Sequence, residues 1–443
     1  MVDVLDLADR LWRGEVAPDE YHPVSHLGGL AEIADGVAFV PSFANVSAFE
    51  TGDGLVLVDT GSAFTAAAIH AELRRWSRSP LTTAVFSHGH IDHVFGVGVW
   101  EEEARGQGWP APDVVGHEAV ADRFDRYVAT AGYNQVVNRR QFGVDGLVWP
   151  TEYRYPDRLY RDQMDLAAGS LVFSLRHERG ETDDHTVTWL PEKKVLCPGD
   201  LFIWASPNAG NPQKVQRYPR EWASALRRMV ALEPEVLLPG HGLPVLGADR
   251  IAQALSETAE LLDLLVDQTL ELMNAGARLD EVLHSVRPPD RLMERPYLRP
   301  VYDEPEFIVR NVWRLYGGWW DGNPANLKPA PERALAVELS DLAGGPGALA
   351  ARAQALVEAA AADVADDAAA AEGARRLAGH LAELAWLAAP EDPAIRAVRR
   401  QVFTARAEAA SSTMATGVFG WAARESAPLD PASGSPGSAT RRQ

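Results

Sequence analysis

The segment Ser87–His93, with the sequence SHGHIDH, constrains the fold of this chain more than any other. It contains three histidines and one aspartate within six residues, directly after the apolar run Thr83–Phe86. A strand that ends in such a cluster presents several nitrogen and oxygen ligands at one edge of a sheet. A polar loop with solvated histidines is the alternative. Four side chains of ligand type at this spacing favour a site for one or two transition-metal ions.

Composition limits the possible partners. The chain has 443 residues, of which 46% are hydrophobic and 23% are charged, as in ordinary soluble globular proteins of two or three domains. The formal net charge of −20 argues against nucleic acid and anionic membranes, because either would repel the protein surface. An anionic substrate is compatible with this charge, since a bound metal ion dominates the field around itself.

Several features predict a cytoplasmic location. The first ten residues are acidic and lack the long apolar core of a secretory signal. No run approaches the roughly 18 apolar residues of a membrane-spanning helix. The single cysteine, Cys197, excludes an internal disulfide and fits a reducing compartment. Because it lies in the apolar run Lys194–Pro198, we interpret Cys197 as a small buried side chain rather than a nucleophile.

Strands and helices alternate in the pattern up to residue 248, which favours an α/β layer architecture with functional loops at one sheet edge. Residues 1–36 are expected to be irregular and partly helical, and residues 131–163, without clear periodicity, are interpreted as a long functional loop. The pattern predicts strands at 37–40, 45–49, 55–61, 83–87, 113–116, 171–177, 185–190, 195–197 and 235–238, and helices at 63–76, 95–104, 118–129 and 220–232.

From Asp249 onward the pattern is helical almost throughout. The alanine-rich stretch 349–409 has small apolar residues at helical spacing, which is typical of helices packed in a bundle. The last twenty residues are rich in Ser, Pro, Gly and Arg, so we expect a disordered tail there. Helices are predicted at 249–275, 278–286, 305–316, 332–342, 349–364, 368–388 and 393–422.

Other side chains of ligand type follow predicted strands far from the histidine cluster. They are Asp59, Glu181, Asp200 and His241. A glycine directly before each of the last three lets the backbone turn sharply, so that the side chains can aim at one point. Each has an ordinary alternative, such as a turn or cap role for Asp59 and a hydrogen-bonded loop position for His241. In this order, and together with the cluster, they predict a composite metal site.

These successive motifs resemble those of the metallo-β-lactamase superfamily, over roughly residues 25–248. The resemblance implies an αββα sandwich with a dinuclear zinc site at the sheet edge. In that superfamily the third metal motif normally supplies a histidine, whereas this chain reads Gly180-Glu181-Thr182. A glutamate there resembles the alkyl sulfatase branch, in which a carboxylate ligand precedes the bridging acid by a similar distance, here 19 positions from 181 to 200.

Two further stretches are similar to the alkyl sulfatases. Residues Gly132–Gly143 resemble one of their loops, and Tyr316–Ala325 (YGGWWDGNPA) closely resembles the Gly-Trp-Phe-Asp-Gly-Asn-Pro signature of their all-helical dimerisation domain. The resemblance therefore extends to about residue 390 and implies a homodimer. We expect a hydrolase domain at 1–248, a helical dimerisation domain at 249–390, and a helical extension with the disordered tail at 391–443.

Two departures separate this chain from the long alkyl sulfatases. Their C-terminal sterol-carrier-like domain, which is thought to handle alkyl tails, is expected to have no room in this chain. The bridging acid is Asp200, as in the wider superfamily, where long alkyl sulfatases tend to carry glutamate. The first departure bears on the choice of substrate.

The resemblance divides the ligands between two zinc ions, although manganese and iron also fit imidazole and carboxylate donors. His185, in the same loop as Glu181, is an alternative ligand. Asp59 is expected to orient a ligand histidine or the loop that carries the cluster. The first ion takes His88, His90 and Glu181, the second takes Asp92, His93 and His241, and Asp200 bridges them.

Catalytic roles are assigned to Asp92, Asp59 and Arg217. A dinuclear centre lowers the pKa of a bound water from about 15.7 toward 7, and its charge neutralises an ester oxygen. Arg217 is the first candidate for an anionic head, because its place five residues before Trp222 resembles the anion-binding arginine of the family. For Arg217 and the next two candidates a salt-bridge or surface role is an equal alternative. The further candidates, in order, are Asn138 and Arg140, then Lys214 and Asn208.

Three functional hypotheses follow. The leading one is a zinc hydrolase of alkyl sulfates or related small anionic esters. The second keeps the metal centre but acts on a lactone, thioester, phosphodiester or β-lactam. The third is a non-catalytic dimer with a relic metal site, against which the complete ligand set counts. Tryptophans at 204, 313, 319 and 320 fit an apolar substrate pocket or, equally, a core or dimer interface. Structural or surface roles are expected for His22, His26, His70, His117, His177, His284 and His380, with His177 at most near the site.

Overall fold

The structure, a computed structural model, describes residues 3–17, 21–25, 27–363 and 367–427. The expected tail from residue 428 onward and His26 lie outside these residues. The chain forms two compact units, Met1–Gln135 with Val148–Gly322 and Val136–Leu147 with Asn323–Gln443. The predicted domain boundaries at 248 and 390 stay predictions.

A seven-stranded sheet forms one layer of the first unit. Its strands are β1 (Ala31–Ala34), β2 (Val37–Val40), β3 (Val46–Glu50), β4 (Leu55–Val58), β5 (Leu81–Val85), β6 (Asp113–His117) and β7 (Arg158–Tyr160). They follow one another across the sheet in chain order, antiparallel from β1 to β4 and parallel from β4 to β7. The parallel part places the ends of β4 and β5, and the loops that follow them, at one edge.

A six-stranded sheet forms the second layer. Its strands are β8 (Gln163–Ala168), β9 (Leu171–His177), β10 (Thr186–Leu190), β11 (Val195–Ile203), β12 (Val236–His241) and β13 (Val245–Leu246). They also follow chain order, and only β11 and β12 pair in parallel among the described strands of this sheet. This pair places the carboxyl ends of β11 and β12 side by side.

The first unit also contains helices, and residues 136–142 of α6 belong to the second unit. The helices are α1 (Val4–Trp12), α2 (Ala66–Trp76), α3 (Ile91–Val94), α4 (Val97–Gln107), α5 (Ala119–Ala129), α6 (Ala131–Phe142), α7 (Pro219–Val230), α8 (Ala248–Asn274), α9 (Leu279–Ser285), α10 (Asp290–Met293) and α11 (Pro305–Gly317). None of the described helices is both long and apolar enough to cross a membrane.

Neighbouring residues of β3 show how the layers pack. The Phe49 ring meets Phe173 of the second sheet edge to face, with centroids 5.3 Å apart. Its neighbour Ala48 belongs instead to the cluster of Ile69 from α2 and Trp100 from α4. Successive side chains of a strand point to opposite faces, so a strand covered on both faces is apolar and buried throughout. With α7 and α8 packed against the inter-sheet core, the order helix, sheet, sheet, helix confirms the predicted αββα sandwich.

The second unit confirms the predicted helical region. Buried Ala353, Ala378 and Val402 bring three of its helices together. The predicted helix 393–422 is wrong in one respect, because the chain breaks at Ser412, whose hydroxyl accepts a hydrogen bond from the Ala415 amide and caps a new helix. The helices of the second unit, apart from the end of α6, are α12 (Pro324–Leu327), α13 (Glu332–Leu342), α14 (Pro346–Asp363), α15 (Ala368–Ala388), α16 (Pro393–Ala409) and α17 (Thr413–Glu425).

The predicted loop at 131–163 is wrong at both ends, where α6 and β7 form. In α6, apolar Tyr133 is exposed whereas polar Asn134 is buried, so the helical periodicity cannot be seen in the sequence. Strands β1, β8 and β13 were not predicted either. β1 and β8 lack a long apolar run, because part of each strand is exposed, and β13 has only two residues.

Candidate metal centre

Strand ends of both sheets bring the predicted ligands together. Asp59 directly follows β4, and the histidine cluster follows β5 and continues into the short helix α3. Glu181 lies in the turn between β9 and β10, Asp200 lies within β11, and His241 ends β12. Because Ile203 is paired with His241 in the parallel register of β11 and β12, Asp200 and His241 reach the same edge of the sandwich.

The first ligand cluster consists of His88, His90, Glu181 and Asp200. Each offers one donor atom, and these atoms all lie within 4.8 Å of one another. The Glu181 Oε2 atom is 3.5 Å from both His88 Nε2 and His90 Nδ1. Tetrahedral donors about 2.1 Å from a zinc ion lie about 3.4 Å apart, so this spacing fits one ion. The two histidine nitrogens are closer, at a hydrogen-bond distance of 2.7 Å.

The second ligand cluster consists of Asp92, His93 and His241. The Asp92 Oδ2 atom lies 3.7 Å from His93 Nε2 and 3.5 Å from His241 Nε2. Asp200 lies between the two clusters. Its Oδ1 atom is 3.4 Å from His93 Nε2, and its Oδ2 atom is 3.2 Å from His241 Nε2 and 3.7 Å from His88 Nε2. This is the position that a bridging carboxylate requires.

Partnerless polar atoms mark both clusters. Glu181 Oε2, His93 Nε2 and Asp200 Oδ1 are buried without a hydrogen-bond partner among the residues that the structure describes. An unsatisfied buried polar atom costs about 1–3 kcal/mol, so native proteins rarely keep one without a compensating ligand. A divalent cation bound at each cluster would be the partner of these imidazole and carboxylate atoms, which point toward a common centre. The residues present therefore fit two ions.

Asp59 holds the loop and one histidine of the second cluster in place. Its backbone is in the left-handed region, with φ of 59°, which turns the carboxylate toward the loop after β5. Asp59 accepts hydrogen bonds from the amide and the hydroxyl of Ser87, each at 2.7 Å. The same carboxylate lies 2.7 Å from His93 Nδ1. Because the Nδ1–H donates to Asp59, the Nε2 atom is left to face the cluster.

Glu181 is held by two neighbours. Its Oε1 atom accepts a hydrogen bond from Asn208 Nδ2 at 2.6 Å and lies 3.2 Å from Arg217 Nη2. Arg217 also donates from Nη1 to the Glu181 carbonyl at 2.5 Å. Burial raises the pKa of Glu181 to about 7, and the Arg217 charge opposes this rise. The structure thus places the predicted anion-binding arginine on a ligand carboxylate.

The alternative ligand His185 lies beside the first cluster rather than in it. Its Nε2 atom accepts a hydrogen bond from the Asp200 amide at 3.1 Å, and its ring stacks on His88 with centroids 4.5 Å apart. Burial lowers the pKa of His185 to about 4, so the ring is neutral. The structure brings Glu181, and not His185, to the metal-binding position.

A buried ion pair was missed in the sequence analysis. Arg123 donates from Nε to Asp184 Oδ2 at 2.7 Å, and the same oxygen accepts the Gly89 amide at 2.9 Å. The Arg123–Asp184 pair thereby holds Gly89, which lies between the candidate ligands His88 and His90. A Cβ atom at Gly89 would lie 2.8 Å from Arg123 Cδ, so this close approach needs glycine. The acidic pair Asp183-Asp184, directly after the Glu181 motif, is the sequence signal for this support.

The two clusters have opposite electrostatic surroundings. Burial lowers the pKa of His88 and His90 well below its usual value, and nearby histidines and arginines act in the same direction. Burial also acts to lower the pKa of His93 and His241, but the charge of Asp200 and its neighbouring aspartates outweighs it and raises both. The first cluster therefore keeps neutral imidazoles, whereas the second retains protons more readily.

The other predicted cationic residues lie in different surroundings. Lys214 is half-buried, with its Nζ 5.5 Å from the centre of the Trp149 ring, and burial lowers its pKa to about 8. Asn138 and Arg140 belong to the second unit, where Arg140 lies over the Trp421 ring at 4.2 Å. A role of these three residues in substrate binding stays a prediction.

Most residues interpreted as structural are buried or paired. Cys197 is buried, as predicted, and burial raises the pKa of its thiol to about 12. His177 stacks on His117 with ring centroids 3.7 Å apart. Trp204 is buried and donates to the Leu243 carbonyl, which is the ordinary core role.

Family comparisons cover most of the chain. Residues 40–241 match the family model of the metallo-beta-lactamase superfamily, and residues 278–428 match that of alkyl sulfatase dimerisation. A linear primary-alkylsulfatase from Pseudomonas sp. is 27% identical over 328 residues, or 67% of this chain. An (R)-specific secondary-alkylsulfatase from Pseudomonas sp. is 28% identical over 365 residues, or 75% of this chain.

Solved structures share the fold. The stereoselective inverting sec-alkylsulfatase Pisa1 from Pseudomonas sp. superposes with a TM-score of 0.77 at 23% identity, over 91% of this chain and 66% of that one. The present chain spans 60% and 55% of the lengths of the two curated relatives, respectively.

Proposed function

Because the chain belongs to the alkyl sulfatase branch of the metallo-β-lactamase superfamily, we propose that it is a metal-dependent hydrolase of alkyl sulfates or related small anionic esters. The observation that carries this proposal is the position of Glu181. Its Oε2 atom completes the first cluster, where the wider superfamily normally has a histidine. Its Oε1 atom is held by Asn208 and Arg217.

Residues of the chain would hold the metal ions and fix the orientation of the ligand side chains. Two divalent ions, zinc by preference, would supply an activated water and neutralise charge on an ester oxygen when bound. Asp59 fixes the His93 ring through Nδ1, and Arg217 with Asn208 fixes the Glu181 carboxylate. Asp92, with 20% of its side chain exposed, is the carboxylate of the second cluster that a water molecule can reach. We assign it the catalytic role of orienting that water.

The anionic head of the substrate is proposed to bind on the side of the first cluster. Arg217 has a buried Nε with no hydrogen-bond partner among the described residues, so it retains a donor for an anion. Lys214, three residues earlier, adds a positive charge.

A homodimer in the cytoplasm is part of the proposal. The match of residues 278–428 to the dimerisation family supports an interface in that region. Trp319, with 71% of its surface exposed, is a candidate for burial against a second copy. Light scattering that gives the mass of a monomer would contradict the dimer.

The test combines metal analysis with a substrate panel. Protein produced with zinc and manganese in the medium should contain up to two metal ions per chain and release sulfate from dodecyl sulfate. A chelator should abolish that release. Activity on a lactone, thioester, phosphodiester or β-lactam but not on the sulfate ester would change the substrate class. Bound metal with no activity on the whole panel would instead support a non-catalytic dimer, and absence of metal would overturn the hydrolase proposal.

A further inference from the structure

We propose that Asn45 is a positioning residue that holds the His241 loop and thereby sets the affinity of the second metal site. This inference rests on the proposed dinuclear centre. Asn45 lies between β2 and β3, and it belongs to no motif of the metal site. Its side chain is buried, with 3% of its surface exposed.

Every N–H group of Asn45 points at the His241 loop. The backbone amide donates to the Gly240 carbonyl at 2.8 Å. The two side-chain N–H groups donate to the Pro239 carbonyl at 3.0 Å and the Gly242 carbonyl at 2.9 Å. One residue therefore binds three of the four carbonyls of residues 239–242, on both sides of the metal-binding histidine.

The Asn45 side chain is itself fixed in one orientation. Its Oδ1 atom accepts the Ser42 amide at 3.0 Å, so the two ends of the carboxamide have distinct partners. The same turn acts directly on the imidazole, because His241 Nδ1 donates to the Phe43 carbonyl in a short hydrogen bond. The Phe43 ring also meets the His241 ring edge to face, with centroids 5.8 Å apart. These contacts leave Nε2 directed at the second cluster.

The loop needs this external support because it contains two glycines. Gly242 has φ of 90°, and a Cβ atom at Gly240 would lie 2.1 Å from Asp200 Oδ1. Glycine is therefore required at both positions, and glycine leaves the backbone with the most conformational freedom. Hydrogen bonds from outside the loop must select the conformation that aims His241 at Asp92.

Only a neutral side-chain amide of this length meets the requirement. Aspartate at position 45 presents oxygen atoms to the carbonyls of Pro239 and Gly242, so two attractive contacts become repulsive. Alanine removes both donors and leaves these carbonyls unsatisfied in the interior. Serine restores one donor at most. The order of second-site affinity should therefore be asparagine, serine, alanine, aspartate.

The experiment measures the affinity of each metal ion separately. Wild type, Asn45→Asp, Asn45→Ala and Asn45→Ser are titrated with Co²⁺ as apoproteins, and visible absorption with metal analysis reports each site. Mutation of a residue that orients a metal ligand typically costs 10–100-fold in affinity. We expect that loss for the second ion in Asn45→Asp, with the first ion unchanged. His241→Ala serves as the reference for loss of the ligand itself.

A control separates positioning from general destabilisation. Thr258→Val removes a buried hydrogen bond, from the Thr258 hydroxyl to the Ala254 carbonyl within α8. It should lower the unfolding temperature and leave both metal affinities unchanged. If Asn45→Asp does not fold, the graded loss in Asn45→Ala and Asn45→Ser tests the same inference. Wild-type affinity for the second ion in the Asn45 variants, with one ion lost in His241→Ala, overturns the inference alone. Two ions bound tightly by His241→Ala overturn the proposed centre as well.

Discussion

The two ligand clusters are supported in different ways. Two buried arginines support the first cluster. Arg217 pairs with Glu181, and Arg123 pairs with Asp184, which accepts a hydrogen bond from the Gly89 amide. Neutral amide and carbonyl groups hold His241 of the second cluster, together with the carboxylate of Asp59 on His93. The first support is cationic and the second is neutral to anionic.

This difference separates two tasks within one centre. Arg123 and Arg217 help to keep His90 neutral, and Arg217 is the proposed source of the charge that an anionic ester needs. In the proposed centre, carboxylates around the second cluster would attract a second cation and accept hydrogen bonds from water. In the proposed function, the same asymmetry would orient the substrate with its anionic head toward Arg217 and Lys214. Each prediction below tests one part of this comparison.

The largest effect is expected where the first cluster loses its ligands. The double variant His88→Ala with His90→Ala should reduce hydrolysis to the rate of the uncatalysed reaction, because no other described pair of imidazoles can replace these donors. Sulfate release and circular dichroism measure activity and fold together. His284→Ala, at a half-exposed histidine of α9, is the matched control and should retain full activity. An unchanged rate in the double variant would move the chemistry to another site.

A large effect on stability is expected at the Arg217–Glu181 pair. Arg217→Met leaves a buried carboxylate without its cation, which typically lowers the free energy of unfolding by roughly 3–5 kcal/mol. The first metal ion should be lost at the same time, because Glu181 is no longer held toward His88 and His90. Chemical denaturation of the apoprotein and metal analysis measure the two effects. Adding Glu181→Gln to this variant should recover part of the stability and none of the metal affinity.

Arg399 provides a matched control in the second unit. It is also buried and pairs with Glu383 and Glu425. Arg399→Met should destabilise its own unit, by less than Arg217→Met because its carboxylate partners are about one-third exposed, and leave both metal ions in place. Loss of metal in this control as well would mean that the effect of Arg217→Met is a general consequence of destabilisation.

A smaller effect is expected for Asp59→Asn. The amide oxygen can still accept one hydrogen bond from Ser87. The NH₂ group, however, places a donor opposite the Nδ1–H donor of His93, so that hydrogen bond is lost. We expect a 10–100-fold loss of affinity for the second ion, with little change in the first. Co²⁺ titration measures both. Equal losses at the two sites would show that Asp59 acts mainly on the Ser87 loop, which the clusters share.

The convergence of the candidate ligands could be predicted from sequence, because each follows a strand or a glycine turn in a recognisable order. The residues that hold these ligands in place could not be predicted from the sequence. Asn45 and Arg123 lie far in sequence from the ligand loops that they hold, Asn45 directly and Arg123 through Asp184, and they reach these loops only because the strands and helices pack in a particular register. An α/β layer architecture was predictable from the alternation of strand and helix patterns, and the αββα sandwich followed from the resemblance to the superfamily. Helix α6 was not, because tertiary packing buries its polar Asn134 and exposes Tyr133.

The smallest effect is expected at Lys214. Burial, followed by the charge of Arg217, lowers the pKa of its ammonium to about 8. Below pH 8 the charged form attracts an anionic ester, so the KM for a sulfate ester should rise as the pH increases through about 8. Lys214→Met should raise KM at pH 7 by about fivefold, which corresponds to roughly 1 kcal/mol for one incompletely buried charge pair, and should remove the rise. Lys214→Arg should keep the low KM to pH 10, since arginine stays protonated. A KM of Lys214→Met equal to that of wild type at pH 7 would exclude Lys214 and leave Arg217 as the proposed cation for the anionic head.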